Sequence, residues 1–384
     1  MKTLISTLLF LPWVSVAADD APRSRDLGIP FDGEPGQYNA ITDVPGVTVG
    51  FETIIADLDD EKAVRTGVTA ILPRGGQTNH RPVFGGWFSL NGNGEMTGTT
   101  WVEESGFIEG PIMITNTHSV GAVHEGTIRW RFENGAADSS GAWWSLPVIA
   151  ETWDGYLNDI NGFHVRPKHA AAAIESAQSG PVAEGNIGGG TAMNCFEFKC
   201  GTGTSSRVTN AAGSAYTVGV LVQANFGRRD DLIVAGVPVG KILRDNMVFS
   251  GDTTADEETG SIIIVVGTDA PLMPHQLKRL TRRAALGLSR TGSIAGNGSG
   301  DIFIAFSTAN EQANQTNAGL SIDTFANQST GPLFRATVQA TEEAITNALV
   351  AGRDMTGNLG NTVRGIDHDR LTSILRDHNR LEEE

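Results

Sequence analysis

The stretch Thr259-Gly260-Ser261-Ile262-Ile263-Ile264-Val265-Val266 carries the most structural information in this 384-residue chain. The unbroken run of β-branched apolar residues from Ile262 to Val266 predicts a buried strand. The preceding segment, Gly251 to Glu258, contains four carboxylates and has no apolar periodicity, so we expect an exposed, mobile loop there. A loop therefore leads directly into a core strand at the junction between Gly260 and Ser261.

This junction has the composition of a site at which a chain is cut. Cleavage before Ser261 would leave that residue with a free α-amine beside its own hydroxyl. An α-amine has a pKa of about 8 and can act as a base near neutral pH. Such a residue combines a nucleophile and a base. The alternative is an ordinary loop followed by a core strand, because Gly-Ser is common before strands.

The first residues predict an exported protein. Met1 to Ala18 carries one charge, at Lys2, followed by an apolar run and then small residues. This is the pattern of a secretory signal peptide, and it is too short for a permanent membrane anchor. We expect cleavage after Ala17 or Ala18 and a secreted or periplasmic protein. The length of residues 19–384 allows two domains, although a single large layered domain fits as well.

Charge and cysteine content narrow the range of partners. The formal charge is −16, and loss of Lys2 leaves 44 acidic against 27 basic residues, a charge of −17. This argues against nucleic acid and anionic membranes as partners. Cys195 and Cys200 are the only cysteines, and the sequence leaves open whether they form a disulfide or two thiols. Without a nearby histidine pair they do not predict a zinc site.

Strand and helix patterns interleave along the chain, and some predicted strands adjoin each other. This arrangement indicates sheets covered by helices in layers. We expect a mobile, charged tail at residues 370–384. The predicted strands span residues 67–72, 111–115, 216–223, 261–266 and 301–306, and the predicted helices span residues 146–160, 167–177, 274–288 and 334–349.

A second serine lies beside a carboxylate, just before the strand predicted at 301–306. Ser299 and Asp301 follow a glycine-rich turn. If this strand neighbours the one that begins at Ser261, the three side chains meet at one end of the sheet. A serine–carboxylate relay there could orient the nucleophile and accept its proton. The alternative is a Gly-Ser-Gly turn in which Asp301 bonds its own backbone.

Three further side chains have residue types suited to substrate binding. Asn225 ends a predicted strand, and its amide could donate a hydrogen bond to an oxyanion. Glu151 and Trp153 lie on the helix predicted at 146–160, and a carboxylate beside an aromatic ring suits a substrate ammonium group. The alternatives are an asparagine that satisfies turn backbone, a glutamate on the helix surface and a tryptophan in the core.

A rival nucleophile is Ser119. The segment Thr117-His118-Ser119-Val120-Gly121 approximates the Gly-x-Ser-x-Gly nucleophile elbow of α/β-hydrolases, which would make the protein an esterase of that type. Thr117 replaces the first glycine, where a side chain would crowd the sharp turn. A third possibility is a secreted binding protein that does not catalyse a reaction.

Seven segments of the chain are more specific as a set than any one of them alone. They are Asp43-Val44-Pro45-Gly46-Val47-Thr48-Val49-Gly50, Asn91-Gly92-Asn93-Gly94-Glu95-Met96-Thr97-Gly98, Thr115-Asn116-Thr117-His118-Ser119-Val120-Gly121, Glu151-Thr152-Trp153-Asp154-Gly155, Gly188-Gly189-Gly190-Thr191, Gly260-Ser261 and Asn297-Gly298-Ser299-Gly300-Asp301. Together they resemble the DmpA-like family of L-aminopeptidase/D-amidase-esterases and β-peptidyl aminopeptidases. The similarity covers roughly Ile29 to Thr362, with the motifs in the family's order.

The resemblance implies an α+β fold, a four-layered αββα sandwich like that of the Ntn hydrolases but with different connectivity. It implies an inactive precursor that cleaves itself between Gly260 and Ser261. The products would be an α-chain from Asp19 to Gly260 and a β-chain from Ser261 to Glu384, assembled as a tetramer of such heterodimers. The expected activity is hydrolysis of short peptides, amides or esters from a free amino end, with no metal or organic cofactor.

The resemblance also implies a role for each candidate residue. Ser261 matches the nucleophile, Ser299 and Asp301 match the relay, and Asn225 matches the oxyanion-binding amide. Some relatives carry Glu in place of Asp301, so the reach here is one methylene shorter. Glu151 matches the carboxylate that holds the substrate's amino end. Trp153 is assigned to the pocket wall and Ser119 to a structural loop. The preference for α- or β-amino acids, and for L or D configuration, stays open.

Overall fold

The computed structural model describes residues 22–58, 61–248, 260–315 and 319–382. The predicted signal peptide and acidic loop lie outside these ranges. In the described part of the chain, the helices are α1 Thr99–Ser105, α2 Val120–Glu133, α3 Pro167–Glu175, α4 Pro274–Arg290, α5 Gly331–Val350 and α6 His368–Asp377. None of these helices combines the length and apolar composition needed to cross a bilayer.

Within the described ranges, the strands form two large sheets and two short hairpins. Their bounds are β1 Thr48–Asp57, β2 Ala63–Leu72, β3 Val83–Gly92, β4 Phe107–Ile108, β5 Ile112–Asn116, β6 Val148–Thr152, β7 Asn194–Cys195, β8 Phe198–Lys199, β9 Thr202–Ala211, β10 Ser214–Asn225, β11 Ser261–Thr268, β12 Gly300–Ser307, β13 Met355–Thr356 and β14 Thr362–Val363. One sheet has the order β1-β2-β5-β6, and the other has the order β4-β3-β12-β11-β10-β9. The pairs β5/β6 and β11/β12 are parallel, and the other pairs within these two sheets are antiparallel.

Alternate side chains of β11 pack into two different cores. Ile263 and Val265 lie in the core between the two sheets, whereas Ile262 and Ile264 lie in the core that the larger sheet forms with α4 and α5. A third core lies between the smaller sheet and the helices α2 and α3. These three cores separate four layers, so the predicted αββα sandwich is confirmed. Because both faces of β11 are covered, its sequence is continuously apolar rather than alternating.

The predicted helix at 146–160 is wrong. The segment instead contains β6, which runs parallel to β5 and is buried along its whole length. The apolar spacing of this segment fits a helix, but pairing with β5 satisfies the backbone of Val148–Thr152 and buries both faces of the strand. Glu151 therefore lies near the end of a strand, and Trp153 follows immediately after it.

The chain end also differs from the sequence prediction. Residues 370–377 belong to α6, which buries Leu371 and Leu375 in the core against the larger sheet. The backbone N–H of Glu382 donates to the carbonyl of Gly28. Leu371 and Leu375 are four positions apart and therefore lie on one face of the helix. The many charged residues around them obscured this pattern in the sequence. Of the two states left open for the cysteines, the structure has the disulfide between Cys195 and Cys200.

Candidate active site

Ser261 is the first residue of β11, in the middle of the larger sheet. It pairs with Asn225 on β10 and with Gly300 on β12, and it is only 6% exposed. Side chains at paired positions lie on the same face of a sheet. Ile263, two residues further along, faces the core between the sheets. The hydroxyl of Ser261 and the amide of Asn225 are therefore both directed into the space between the two sheets.

The peptide bond before Ser261 is held by two neighbouring strands. The backbone N–H of Gly300 donates to the carbonyl oxygen of Gly260 at 3.0 Å. A Cβ on Gly260 would lie 2.5 Å from both the carbonyl oxygen of Asn225 and the Cα of Phe226, so only glycine fits here without moving backbone. The carbonyl that precedes the serine is thus fixed in position and already engaged by a donor.

Ser299 and Asp301 form a buried dyad at the start of β12. The Ser299 hydroxyl donates to Asp301 Oδ1 at 2.7 Å, and both residues are fully buried. Asp301 pairs with Ile262, whose side chain faces the helices, so the dyad lies on the opposite face from the Ser261 hydroxyl. The predicted relay therefore lies at the same end of the sheet as Ser261, next to the backbone of the junction. The expected meeting of all three side chains is wrong, because adjacent positions of a strand direct their side chains to opposite faces of the sheet.

Two backbone groups fix the orientation of the Asn225 amide. Its Oδ1 accepts from the N–H of Asn194 at 3.0 Å, and its Nδ2 donates to the carbonyl of Trp153 at 2.8 Å. A backbone N–H can only donate and a carbonyl can only accept, so the amide cannot be reversed. Because Nδ2 carries two hydrogens, the bond to Trp153 leaves a second donor on the face shared with Ser261.

Glu151 is a buried carboxylate at the end of β6. It is 3% exposed, and burial is the main reason that its pKa is raised. Oε1 accepts from the backbone N–H of Glu95 at 2.9 Å, and Oε2 accepts from the hydroxyl of Thr117. Both bonds favour the ionised form and partly offset the effect of burial. A fixed carboxylate in such surroundings can bind a cation strongly.

Gly94 lies close both to the Glu151 carboxylate and to Gly300, the residue that pairs with Ser261. A Cβ on Gly94 would lie 3.3 Å from Glu151 Oε1 and 3.3 Å from the Cα of Gly300. Glu151 Oε1 and the Gly300 Cα are therefore separated by no more than twice that distance. A Cβ on Gly300 would in turn lie 2.9 Å from the Oγ of Ser261. The Glu151 carboxylate, Gly94, Gly300 and the Ser261 hydroxyl therefore lie close together in one region of the structure.

The resemblance assigned Trp153 to the pocket wall. In the structure, its side chain is 44% exposed and its backbone carbonyl accepts a hydrogen bond from the Asn225 amide. The sequence analysis missed Asn194, Thr117 and Glu95, which orient Asn225 and Glu151. The glycine-rich motif from Asn91 to Gly98 was the one available signal, because glycines allow the backbone to approach other groups closely.

Ser119 does not form a nucleophile elbow. It ends a short 3₁₀ turn before α2, it is 2% exposed, and its φ of −104° is an ordinary backbone value. An elbow requires a sharp, strained turn that exposes the hydroxyl. The preceding Thr117 instead directs its hydroxyl to Glu151.

Asp154 is a fully buried carboxyl behind the site. Burial raises its pKa from the ordinary 3.8 to about 7, against hydrogen bonds that include one donated by Asn158 Nδ2 at 3.0 Å. Thr66 and Asn116 lie close enough to Asp154 to favour its ionised form, but within the described residues no hydrogen bond of good geometry reaches Asp154 Oδ2 or Asn116 Oδ1. A protonated carboxyl supplies a donor, and Asn116 Oδ1 is an acceptor, so the neutral acid suits these surroundings.

In the wild type, Asp154 should make the free energy of unfolding fall as the pH rises. We expect Asp154→Asn to remove this fall. The unfolded chain releases this proton near pH 4, whereas the folded protein keeps it up to about pH 7. The contribution of Asp154 to the free energy of unfolding therefore falls as the pH rises through this window. Relative to the wild type, the variant should gain about 2 kcal/mol between pH 5 and pH 8.

Denaturant unfolding at the two pH values measures this gain. Asp323→Asn, at an exposed position, is the matched control and should show no such change. An unchanged difference between Asp154→Asn and wild type across this range would contradict the assignment of a neutral buried acid.

The layered fold and the residues of the site together indicate an enzyme class. A four-layered αββα sandwich with a serine at the start of a central strand has the architecture of an N-terminal nucleophile (Ntn) hydrolase. The buried carboxylate nearby adds a receptor for a cationic group. Together, fold and site define a serine hydrolase suited to substrates that carry an amine.

Comparison with known proteins identifies the family. The profile of peptidase family S58 matches residues 39–363. The chain is 52% identical to the β-peptidyl aminopeptidase BapA of Sphingosinicella microcystinivorans, over 95% of this chain and 94% of that protein. It is 45% identical to the BapA of Sphingosinicella xenopeptidilytica, over 96% and 95% respectively. The chain belongs to peptidase family S58.

Solved structures agree with this assignment. The L-aminopeptidase D-Ala-esterase/amidase of Ochrobactrum anthropi, described as a prototype of the serine aminopeptidases and a variant of the Ntn hydrolase fold, has a TM-score of 0.87 and 48% identity over 94% of this chain and all of that chain. A β-aminopeptidase from Burkholderia sp. has a TM-score of 0.85 and 46% identity over 93% and 99%. The protein is a serine aminopeptidase with amidase activity on peptide substrates.

Proposed function

We propose that this chain is a β-peptidyl aminopeptidase that activates itself by cleavage between Gly260 and Ser261. The observation that carries the proposal is the hydrogen bond from the Gly300 N–H to the Gly260 carbonyl oxygen, directly before a buried serine. That donor is placed on the oxygen that would become negatively charged during attack at this carbonyl.

Cleavage proceeds through the serine's own hydroxyl. Ser261 Oγ attacks the carbonyl carbon of Gly260 and forms a C–O bond, while the oxygen's developing charge is stabilised by the Gly300 N–H. The C–N bond then breaks, the nitrogen takes up the proton that the Ser261 hydroxyl has lost, and an ester joins the two halves. Water hydrolyses this ester and leaves Gly260 with a carboxylate and Ser261 with a free α-amine. Residues 261–384 become the β-chain.

Gly260→Ala should slow this cleavage by about tenfold or more. The added methyl group would lie 2.5 Å from backbone atoms of Asn225 and Phe226, so the scissile carbonyl must move away from its donor. Gel electrophoresis of the denatured protein over time measures the rate. Gly121→Ala, at a helical position with open space around it, is the control and should be cleaved normally. Unchanged cleavage of Gly260→Ala would contradict this geometry.

After cleavage, the same groups serve the peptidase reaction. The α-amine of Ser261 accepts the hydroxyl proton as Oγ attacks the substrate carbonyl. The second N–H of Asn225 and the N–H of Gly300 stabilise the oxyanion. The Ser299–Asp301 dyad, next to the junction backbone, orients the α-amine. The leaving amine takes this proton from the α-ammonium group and departs as the C–N bond breaks. Water then hydrolyses the ester to Ser261 and releases the acyl group as a carboxylate.

Glu151 gives the enzyme its requirement for a free amino end. An ammonium group bound by the carboxylate would place the carbonyl of a short first residue near Ser261, because Gly94 bridges the two. The names of the two Sphingosinicella relatives support a β-amino acid as that residue.

Matched p-nitroanilides test the substrate assignment. The account predicts hydrolysis of β-alanine p-nitroanilide and no detectable hydrolysis of its N-acetylated form, because acetylation removes the charge that Glu151 binds. Comparable rates for the two compounds would contradict it. An L-alanine p-nitroanilide in the same series measures the preference for β- over α-amino acids.

We also propose that the mature protein is secreted or periplasmic and forms a tetramer of cleaved heterodimers. The signal-peptide pattern of Met1 to Ala18 and the disulfide, which suits an oxidising compartment, support export. Sequencing of the α-chain N-terminus tests removal of the leader, and light scattering measures the mass of the assembly. A protein that starts at Met1, or that scatters as a single heterodimer, would contradict the corresponding half of this proposal.

A further inference from the structure

A disulfide-closed hairpin contacts the site through Asn225. Strands β7 and β8 pair Asn194 with Lys199 and Cys195 with Phe198, and the disulfide to Cys200 closes this hairpin. The backbone N–H of Asn194 is the donor that holds Asn225 Oδ1 at 3.0 Å. The first residue of the hairpin is therefore one of the two residues whose backbone groups orient the Asn225 amide.

The turn of this hairpin has an unfavourable conformation that its surroundings maintain. Phe196 and Glu197 both have positive φ, at 52° and 62°, which is the type I′ geometry normally occupied by Asn-Gly. Non-glycine residues in this region cost on the order of 1 kcal/mol or more each, and such residues cluster at functional sites. This hairpin is therefore kept in shape by its external contacts.

Arg229 and the end of β10 supply those contacts. The guanidinium of Arg229 donates to the carbonyls of Phe196 at 2.9 Å and Glu197 at 2.8 Å, and it lies 3.4 Å from the ring centroid of Phe198. The N–H of Phe196 donates to the carbonyl of Phe226, the residue after Asn225, at 2.7 Å. The hairpin is therefore hydrogen-bonded to two successive residues, Asn225 and Phe226.

The base of the hairpin is fixed by a buried lysine. Lys199 Nζ donates to the carbonyls of Met193 at 2.7 Å and Cys200 at 2.6 Å, and the residue is fully buried. The sulfur of Met193 accepts from Thr152, which follows Glu151 on β6. The disulfide, Lys199 and Arg229 together make the hairpin a rigid support rather than a surface loop.

We propose that the Cys195–Cys200 hairpin is a positioning element that sets the Asn225 amide for oxyanion stabilisation, so that full activity requires the disulfide. This inference rests on the proposed function of Asn225. The hairpin touches Asn225 through a backbone N–H and acts on turnover through that contact. An exported enzyme would acquire the disulfide in the oxidising compartment where it meets its substrate.

The test opens the disulfide in two independent ways. The fully cleaved wild-type enzyme is reduced with a phosphine under mild denaturant, alkylated and returned to buffer, and the mass confirms the modified thiols. In parallel, Cys195→Ala/Cys200→Ala is purified in its cleaved form. We expect kcat for β-alanine p-nitroanilide to fall about tenfold in both, with KM within twofold, because ammonium binding at Glu151 is unaffected. Reduced, unalkylated enzyme should recover on reoxidation.

Asn225→Ala distinguishes an effect of the hairpin on the Asn225 amide from a general loosening of the structure around the site. Alone it should lower kcat by about 100-fold, and opening the disulfide in this background should cost less than a further twofold. A full additional tenfold loss, or unchanged kcat after opening the disulfide in the wild type, would overturn the inference. If Asn225→Ala itself retains kcat, the proposed oxyanion role fails instead, so the two failures are distinct.

Discussion

Ser261→Ala is expected to abolish both chain cleavage and amide hydrolysis. The variant lacks the oxygen that attacks the Gly260 carbonyl, so residues 260 and 261 stay joined and no α-amine forms. Turnover of β-alanine p-nitroanilide should fall by at least about 10⁴-fold. The backbone contacts of β11 are unchanged by this substitution, so the variant should fold as an intact precursor. Gel electrophoresis and a p-nitroaniline assay measure the two losses.

Ser119→Ala is the matched control. Ser119 follows a strand, as a nucleophile-elbow serine would, but it is buried at the start of α2. Its substitution should leave cleavage and turnover within about twofold of wild type, provided that the variant folds normally. Full turnover by Ser261→Ala, or loss of turnover without loss of cleavage in Ser119→Ala, would contradict the assignment of the nucleophile.

Glu151→Gln is expected to lower kcat/KM for substrates with a free amine by about 100- to 1000-fold. The neutral amide keeps the shape of the side chain but removes the charge that pairs with the ammonium group, and breaking a buried charge pair costs about 2–5 kcal/mol. Much of the loss should appear in KM, since the contact exists before the chemical step. Steady-state kinetics of the cleaved enzyme measure this change.

The pH profile provides a second readout of the same residue. Burial raises the pKa of Glu151, so in the wild type the acid limb of kcat/KM should lie above the ordinary glutamate range. Glu151→Gln should lose this limb. Glu95→Gln is the matched control, because Glu95 contacts the Glu151 carboxylate through its backbone N–H. A loss in Glu95→Gln equal to that in Glu151→Gln would contradict the assignment of the amine receptor.

The centre of the fold was accessible from sequence because its signals are local. An apolar β-branched run after a glycine predicts a buried strand that starts at Ser261, and β11 starts there. The turn before Asp301 likewise predicted the strand that became β12. The parallel pairing of these two strands needed the structure, since register depends on contacts between distant segments.

The strand that carries Glu151 and the backbone groups around it could not be predicted from the sequence. Its apolar neighbours fit a helical period, and only pairing with β5 makes the segment a strand. Three of the groups that orient the site are the backbone N–H groups of Glu95, Asn194 and Gly300. Every residue type except proline carries such a donor, so composition gives no sign of which ones are used.

The most direct test of the account is the intact mass of the purified, denatured protein, combined with N-terminal sequencing of each component. The account predicts two chains, one of which begins Ser-Ile-Ile-Ile and ends at Glu384. A single chain that remains continuous through Gly260 and Ser261 after prolonged incubation, yet hydrolyses β-alanine p-nitroanilide, would contradict the claim that Ser261 acts as an N-terminal nucleophile.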